Sequence, residues 1–268
     1  MFKLFPLIAI LPCLAQMPTE NPDTTPDVDR GNNVVAPEIE NFKSPDGVTV
    51  PKAEKIDEDR IKIGSVEVNH KKRTISFEGY ANLSKGIVEY ICSLPNGKIH
   101  ESLFVTAADP LHANVGMKLL KFKGFEKFFP ERDENFEWLP FTEPKPEQYE
   151  DCYLNVEVTY EKDGKTHTVD LADLVVNSRN KEPIDTTSWL NTGSFFYEGV
   201  YQASFTGEMI SIFASRTSPI NYIGEFNNGV NDDGWIVNES KMLPLGTKVK
   251  FTISQAPVRK PTPETKKN

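Results

Sequence analysis

From about residue 57 the chain alternates apolar and polar positions with the two-residue period of half-buried strands. "RIKIGSVEVN" (60–69) sets Ile61 with Ile63 and Val66 with Val68. The phase changes at Gly64-Ser65, which predicts a bulge. "RTISFEGYA" follows after His70-Lys71-Lys72, a link short enough for a hairpin. "GIVEYICSL" and "KIHESLFVT" flank Pro95-Asn96-Gly97, a hairpin signal because Asn-Gly readily takes positive φ. Together these predict a four-stranded antiparallel meander.

The period then changes. Leu111, Val115, Leu119 and Phe122 recur at helical spacing behind Asp109, a good cap, and Pro110, which suits a first helical turn. Gly124 can end the helix, which is predicted over about 109–123. Residues 125–150 are rich in aromatics and proline and predict an irregular loop over the core. "DCYLNVEVTYEKDGKTHTVDL" predicts a hairpin turning at Asp163-Gly164, with a short helix at 171–175. "SFFYEGVYQASFTGEMISIFAS" and "GTKVKFTISQ" complete the strands, and Gly193-Ser194 predicts a turn between two of them. The expected fold is α+β: one sheet-dominated domain of antiparallel hairpins with one main helix.

Outside this region the pattern disappears. Lys3 precedes the apolar run "LFPLIAILPCLA", too short to span a bilayer, and predicts a secretory signal over 1–15. Soluble export to a periplasmic or extracellular space ranks first. Lipid anchoring through Cys13 ranks second, because Pro12 precedes that cysteine. Residues 16–56 are acidic and proline-rich without an apolar period, which predicts a disordered tether. Residues 257–268 predict a frayed tail, leaving a folded domain over 57–256. No segment after the signal is apolar and long enough for a membrane span. The 268 residues carry a net charge of −9, which repels phosphate backbones and argues against nucleic acid. The expected partner is an unidentified envelope protein or a small ligand.

The candidate chemistry lies in few places. His100, Glu101 and Ser102 are the residue types of a hydrolytic triad. On a strand, however, His100 and Ser102 share one face while Glu101 points to the other among Ile99, Leu103 and Val105. The tripeptide is therefore not a triad by itself, and Glu101 is expected to be partly buried. His112, in the first helical turn, could offer a neutral imidazole to a metal. It falls too far from His100 to share an ion unless His70, His167 or Asp170 join in. Neither a metal nor a cofactor is expected. Trp189, Phe195, Phe196, Tyr197 and Tyr201 could line a groove beside Gly193 and Ser194, or pack the core. Cys92 and Cys152 each sit on an apolar strand face, so a disulfide and two buried thiols both fit.

The segment "GIVEYICSLPNGKIHESLFVTAADPLHANVGMKLLKFKG" resembles the first half of the YdjY domain. "DLADLVVN", "WLNTGSFFYEG", "GEMISIFA" and "NESKMLPLGTKVKFTI" resemble its second half, in the same order. The resemblance covers about 61–253. It implies an exported bacterial domain without an established reaction. It also implies that Gly97, His100, Glu101, Ser102, His112, Trp189, Gly193 and Ser194 match the family pattern, with no catalytic role attached. The chain departs from that pattern at Gly116 and at "ASRTSP" (214–219). The function expected from the sequence is thus a non-enzymatic binding or scaffold module of the cell envelope. The alternative is a hydrolase or metal-assisted enzyme built on His100, Glu101 and Ser102.

Overall fold

The structure, a computed structural model, describes residues 52–133, 135, 137–224 and 234–258. The predicted signal, most of the tether and nearly all of the tail lie outside them. Strands β1 (Ala53–Lys55), β2 (Arg60–Ile63) and β3 (Val66–Asn69) form a ribbon leading into β4 (Thr74–Ala81). Then come β5 (Tyr90–Ser93), β6 (Ser102–Val105) and helix α1 (Pro110–Leu119). After the 125–150 segment follow β7 (Tyr153–Lys162), β8 (Lys165–Val169), helix α2 (Leu171–Leu174), β9 (Val175–Asn177) and β10 (Trp189–Asn191). The small hairpin β11 (Phe196–Tyr197) and β12 (Val200–Tyr201) runs into helix α3 (Gln202–Thr206). Strands β13 (Glu208–Ser211), β14 (Ile220–Tyr222), β15 (Trp235–Val237) and β16 (Lys248–Gln255) complete the fold.

Eight of these strands close into a barrel in the order β4-β16-β7-β10-β14-β13-β5-β6. Closure comes where β6 returns to β4, pairing Tyr80 with Val105 and Ala81 with Phe104. The expected α+β class is therefore overturned: the fold is mostly β, with 14% of residues in short helices. The meander is overturned too, because β5 and β6 lie parallel, as do β13 and β14. Parallel neighbours need a crossover, and here each crossover is a short loop, 94–101 and 212–219. The Pro95-Asn96-Gly97 turn exists but makes no hairpin. Asn96 donates its side-chain amide to the carbonyls of Ser204 and Phe205 at the end of α3 (3.3 and 3.2 Å), and Leu94 N–H donates to Gly207 O at 2.7 Å. The loop thus caps a helix end whose carbonyls need donors, and the chain turns upward again.

The long central strands follow their alternation. Phe251 of β16 faces Phe77 of β4 on one side and Val158 of β7 on the other. The Phe77 and Phe251 rings stack at 5.0 Å and Phe104 meets Phe251 edge-on at 5.5 Å. These buried rings fill the interior, so the barrel is a packed core. The Asp163-Gly164 hairpin forms as expected, both residues having positive φ. Gly64-Ser65 is a tight hairpin turn between β2 and β3 (Ile63 pairs with Val66), not a bulge. Strand β1 pairs with β2 from within the segment read as tether.

Helix α1 is capped as predicted, Asp109 Oδ1 accepting from Leu111 N–H at 2.8 Å. It ends earlier than expected, and Leu119 is 56% exposed. Leu111 and Phe122 of the expected stripe are buried, and the buried face also takes in Ala113, Gly116 and Met117. A Cβ on Gly116 would lie 2.9 Å from Ile75 Cγ2 and 3.0 Å from Val68 Cγ2. The small residue lets the helix axis settle close on β3 and β4, which turns Leu119 outward. Among the described residues no helix is long and apolar enough to cross a membrane.

Candidate functional site

His100 and Glu101 are not on a strand. They belong to a single 3-10 turn, Ile99–Glu101. The two-residue pleat therefore does not apply, and His100 Nε2 comes within 3.7 Å of Glu101 Oε2 instead of pointing away. The nucleophile of the supposed triad is spent elsewhere: Ser102 is fully buried and donates its hydroxyl to Lys98 O at 2.7 Å. What assembles here is a carboxylate pair. Glu101 approaches Lys98 Nζ at 3.7 Å, and Glu89 on the neighbouring segment accepts from the same ammonium at 2.6 Å. Burial raises the Glu89 carboxyl above its usual range; Lys98 opposes the rise and Glu101 adds to it. Burial also raises the Tyr90 phenol, helped by Glu208. Glu89 was the legible sign of this cluster, a carboxylate inside the apolar run "IVEYIC". Lys98 and Glu208 carried no sign.

The raised carboxyl sets a pH dependence. A group whose folded value exceeds its unfolded value of 4.5 contributes stability fully below that value and loses it as pH rises through the folded value. Replacing Glu89 by Gln removes this loss. Urea midpoints from about pH 4 to about pH 8 should therefore improve progressively in E89Q relative to wild type; a difference that stays flat with pH would contradict the assignment.

The other predicted ligands are dispersed. His112 lies in the first turn of α1 with its imidazole against Gly64, where a Cβ would come within 2.2 Å of Nδ1. That Nδ1 is buried without a hydrogen-bond partner. His70 approaches Asp59 at 3.8 Å, His167 stacks on Tyr160 at 5.3 Å, and Asp170 caps α2. Among the described residues, no three His, Cys, Asp or Glu side chains converge to hold a metal ion. Cys92 and Cys152 are buried free thiols. They pack in different buried clusters, Cys92 in the main core and Cys152 with Tyr149 and Leu190. Burial pushes the Cys152 thiol up to about 12 and Cys92 up as well.

Trp189 is not a groove residue. It is wholly buried, its ring tilted against Tyr222 at 5.5 Å. Gly193 and Ser194, by contrast, stand in a cleft of about 280 Å³ beside Tyr201, Asn114 and Arg216. The turn is held from beneath: the amides of Thr192 and Gly193 both donate to Pro219 O (3.0 and 3.1 Å), and Asn221 donates to Thr192 Oγ1 at 2.7 Å. Tyr201 and Asn114 both donate to Gly193 O, at 2.6 and 3.1 Å. Gly193 has φ +80 and Ser194 φ +56, a left-handed conformation unusual for serine. The Ser194 hydroxyl is buried beside the Tyr201 phenol. Phe195 and Phe196 form part of the wall, and Arg216 lies over the Phe195 ring at 4.5 Å. Arg216 comes from "ASRTSP" (214–219), and no spacing argument identified it. A larger trough of about 550 Å³ crosses charged positions such as Lys62, Glu67 and Glu78, the last paired with Lys248 at 2.9 Å.

Comparison with protein-family models, with curated proteins and with solved structures finds no match to the chain.

Proposed function

We propose that the protein is an exported, non-enzymatic binding module of a bacterial envelope, and that its binding site is the cleft at the 192–196 turn. The observation that carries the reading is Ser194. Its left-handed backbone, φ +56, costs about 1–3 kcal/mol in a non-glycine residue. Such strain gathers at active sites and ligand clamps. Aromatic walls and a few fixed polar groups are the usual makeup of a small-molecule pocket. The apolar N-terminal run and the resemblance to the YdjY domain support export, with the mature chain starting at Gln16. Lipid attachment at Cys13 is the second form of that reading.

Titrating the full chain with a mixed fragment set tests the site. Backbone NMR shifts should cluster at Thr192–Phe196 and on the 212–219 loop. Fragments that bind but perturb only the Glu89–Glu101 region or the 62–78 trough would sink the proposal.

A further inference from the structure

We infer that this cleft takes a small molecule bearing one carboxylate and an adjoining apolar group, with Arg216 as the anion-binding residue. The inference rests on the binding-module reading and names its ligand class.

The argument begins with how Arg216 is aimed. Its neighbours Ser215 and Thr217 both donate their hydroxyls to the Glu208 carboxylate, Thr217 at 2.7 Å. The amide of Ser215 donates to Asn221 Oδ1 at 2.8 Å. Flanked by two residues tied to Glu208, Arg216 extends the other way, onto the Phe195 ring. An aromatic face under a guanidinium fixes its plane and leaves the edge donors free. Among the described residues Arg216 has no carboxylate within ion-pair distance. The second cation of the cleft is already engaged, Lys118 meeting Glu126 at 2.7 Å. A guanidinium fork fits the two oxygens of a carboxylate.

Charge selects the valence. Lys118 and Arg216 are balanced in the lining by Glu126 and Glu131. A bound monoanion leaves the lining one negative charge in excess, whereas a dianion such as a phosphate monoester leaves two against the same two glutamates, so the smaller charge is favoured. Phe129 and Phe196 offer apolar walls for the rest of the ligand, and about 280 Å³ admits a small one.

Four isosteric probes on the full chain test this by NMR titration: phenylacetate, phenylacetamide, benzylphosphonate and phenethylamine. Phenylacetate is expected to saturate with shifts at Ser194, Phe195 and Arg216 Nε. Phenylacetamide should bind about tenfold more weakly, and Arg216→Met should weaken phenylacetate about tenfold while leaving phenylacetamide unchanged. If acid and amide bind equally at the cleft, or the phosphonate or amine binds best, the carboxylate inference fails and the binding-module reading stands. If none of the four perturbs the cleft, and the fragment set does not either, both fail.

Discussion

Alanine at Gly207 is expected to destabilise the protein by about 3 kcal/mol and to lower its melting temperature by roughly 10 °C. Gly207 ends α3 in the left-handed region, φ +77. A Cβ there would lie 2.6 Å from Gly97 N and 2.7 Å from Gly97 Cα. Both are backbone atoms, so no side-chain rotation relieves the overlap. The 94–101 crossover would have to lift, breaking the bond from Leu94 N–H to Gly207 O and loosening Asn96 on the helix end. Gly164→Ala is the matched control. Its φ is +69, but nothing lies within 4 Å of a Cβ there, so only the backbone penalty of about 1 kcal/mol applies. Equal losses for the two variants, measured by urea unfolding, would remove the close approach as the cause.

Trp189→Ala is expected to cost about 4 kcal/mol, the range for deleting a buried aromatic. The side chain is wholly enclosed and touches Tyr222, which in turn meets Trp235 edge-on at 5.8 Å. One deletion therefore empties one end of a three-ring stack. Trp189→Phe should lose much less, about 1–2 kcal/mol. It keeps most of the ring volume and removes an indole N–H that is buried without a partner. Should Trp189→Ala leave the unfolding midpoint within experimental error of wild type, the placement of this ring in the core is wrong.

The parts legible in the sequence are those fixed by neighbours along the chain. The alternation Val249, Phe251, Ile253 names a strand and its inner face without outside help. Asp163-Gly164 dictates a turn through its own φ values, and Asp109 caps a helix two residues away. Barrel closure has no such signal. Strand β14 is only three residues long, and its parallel pairing with β13 depends on the crossover between them. The short strand β6 pairs with β5 and with the far end of β4. Asn-Gly after Pro95 suggested a hairpin because its preferred φ is local, while the α3 end that redirects the loop lies more than 100 residues downstream. The cleft was half visible. Gly193-Ser194 could be named as a turn from residue types, but Asn114, Tyr201 and Arg216 reach it from α1, β12 and the second crossover. Gly116, which breaks the apolar run of the helix, makes sense only against Ile75 and Val68.

The position of β16 in the circuit bears on how the molecule reaches its native state. It pairs along nearly its whole length with β4 on one side and β7 on the other. Until residues near 250 are in place, those two strands, Thr74–Ala81 and Tyr153–Lys162, have no partner on their shared side. Chain growth alone cannot complete the molecule, since its first long strand waits for its last. Such non-local pairing makes folding slow, on the order of milliseconds to seconds.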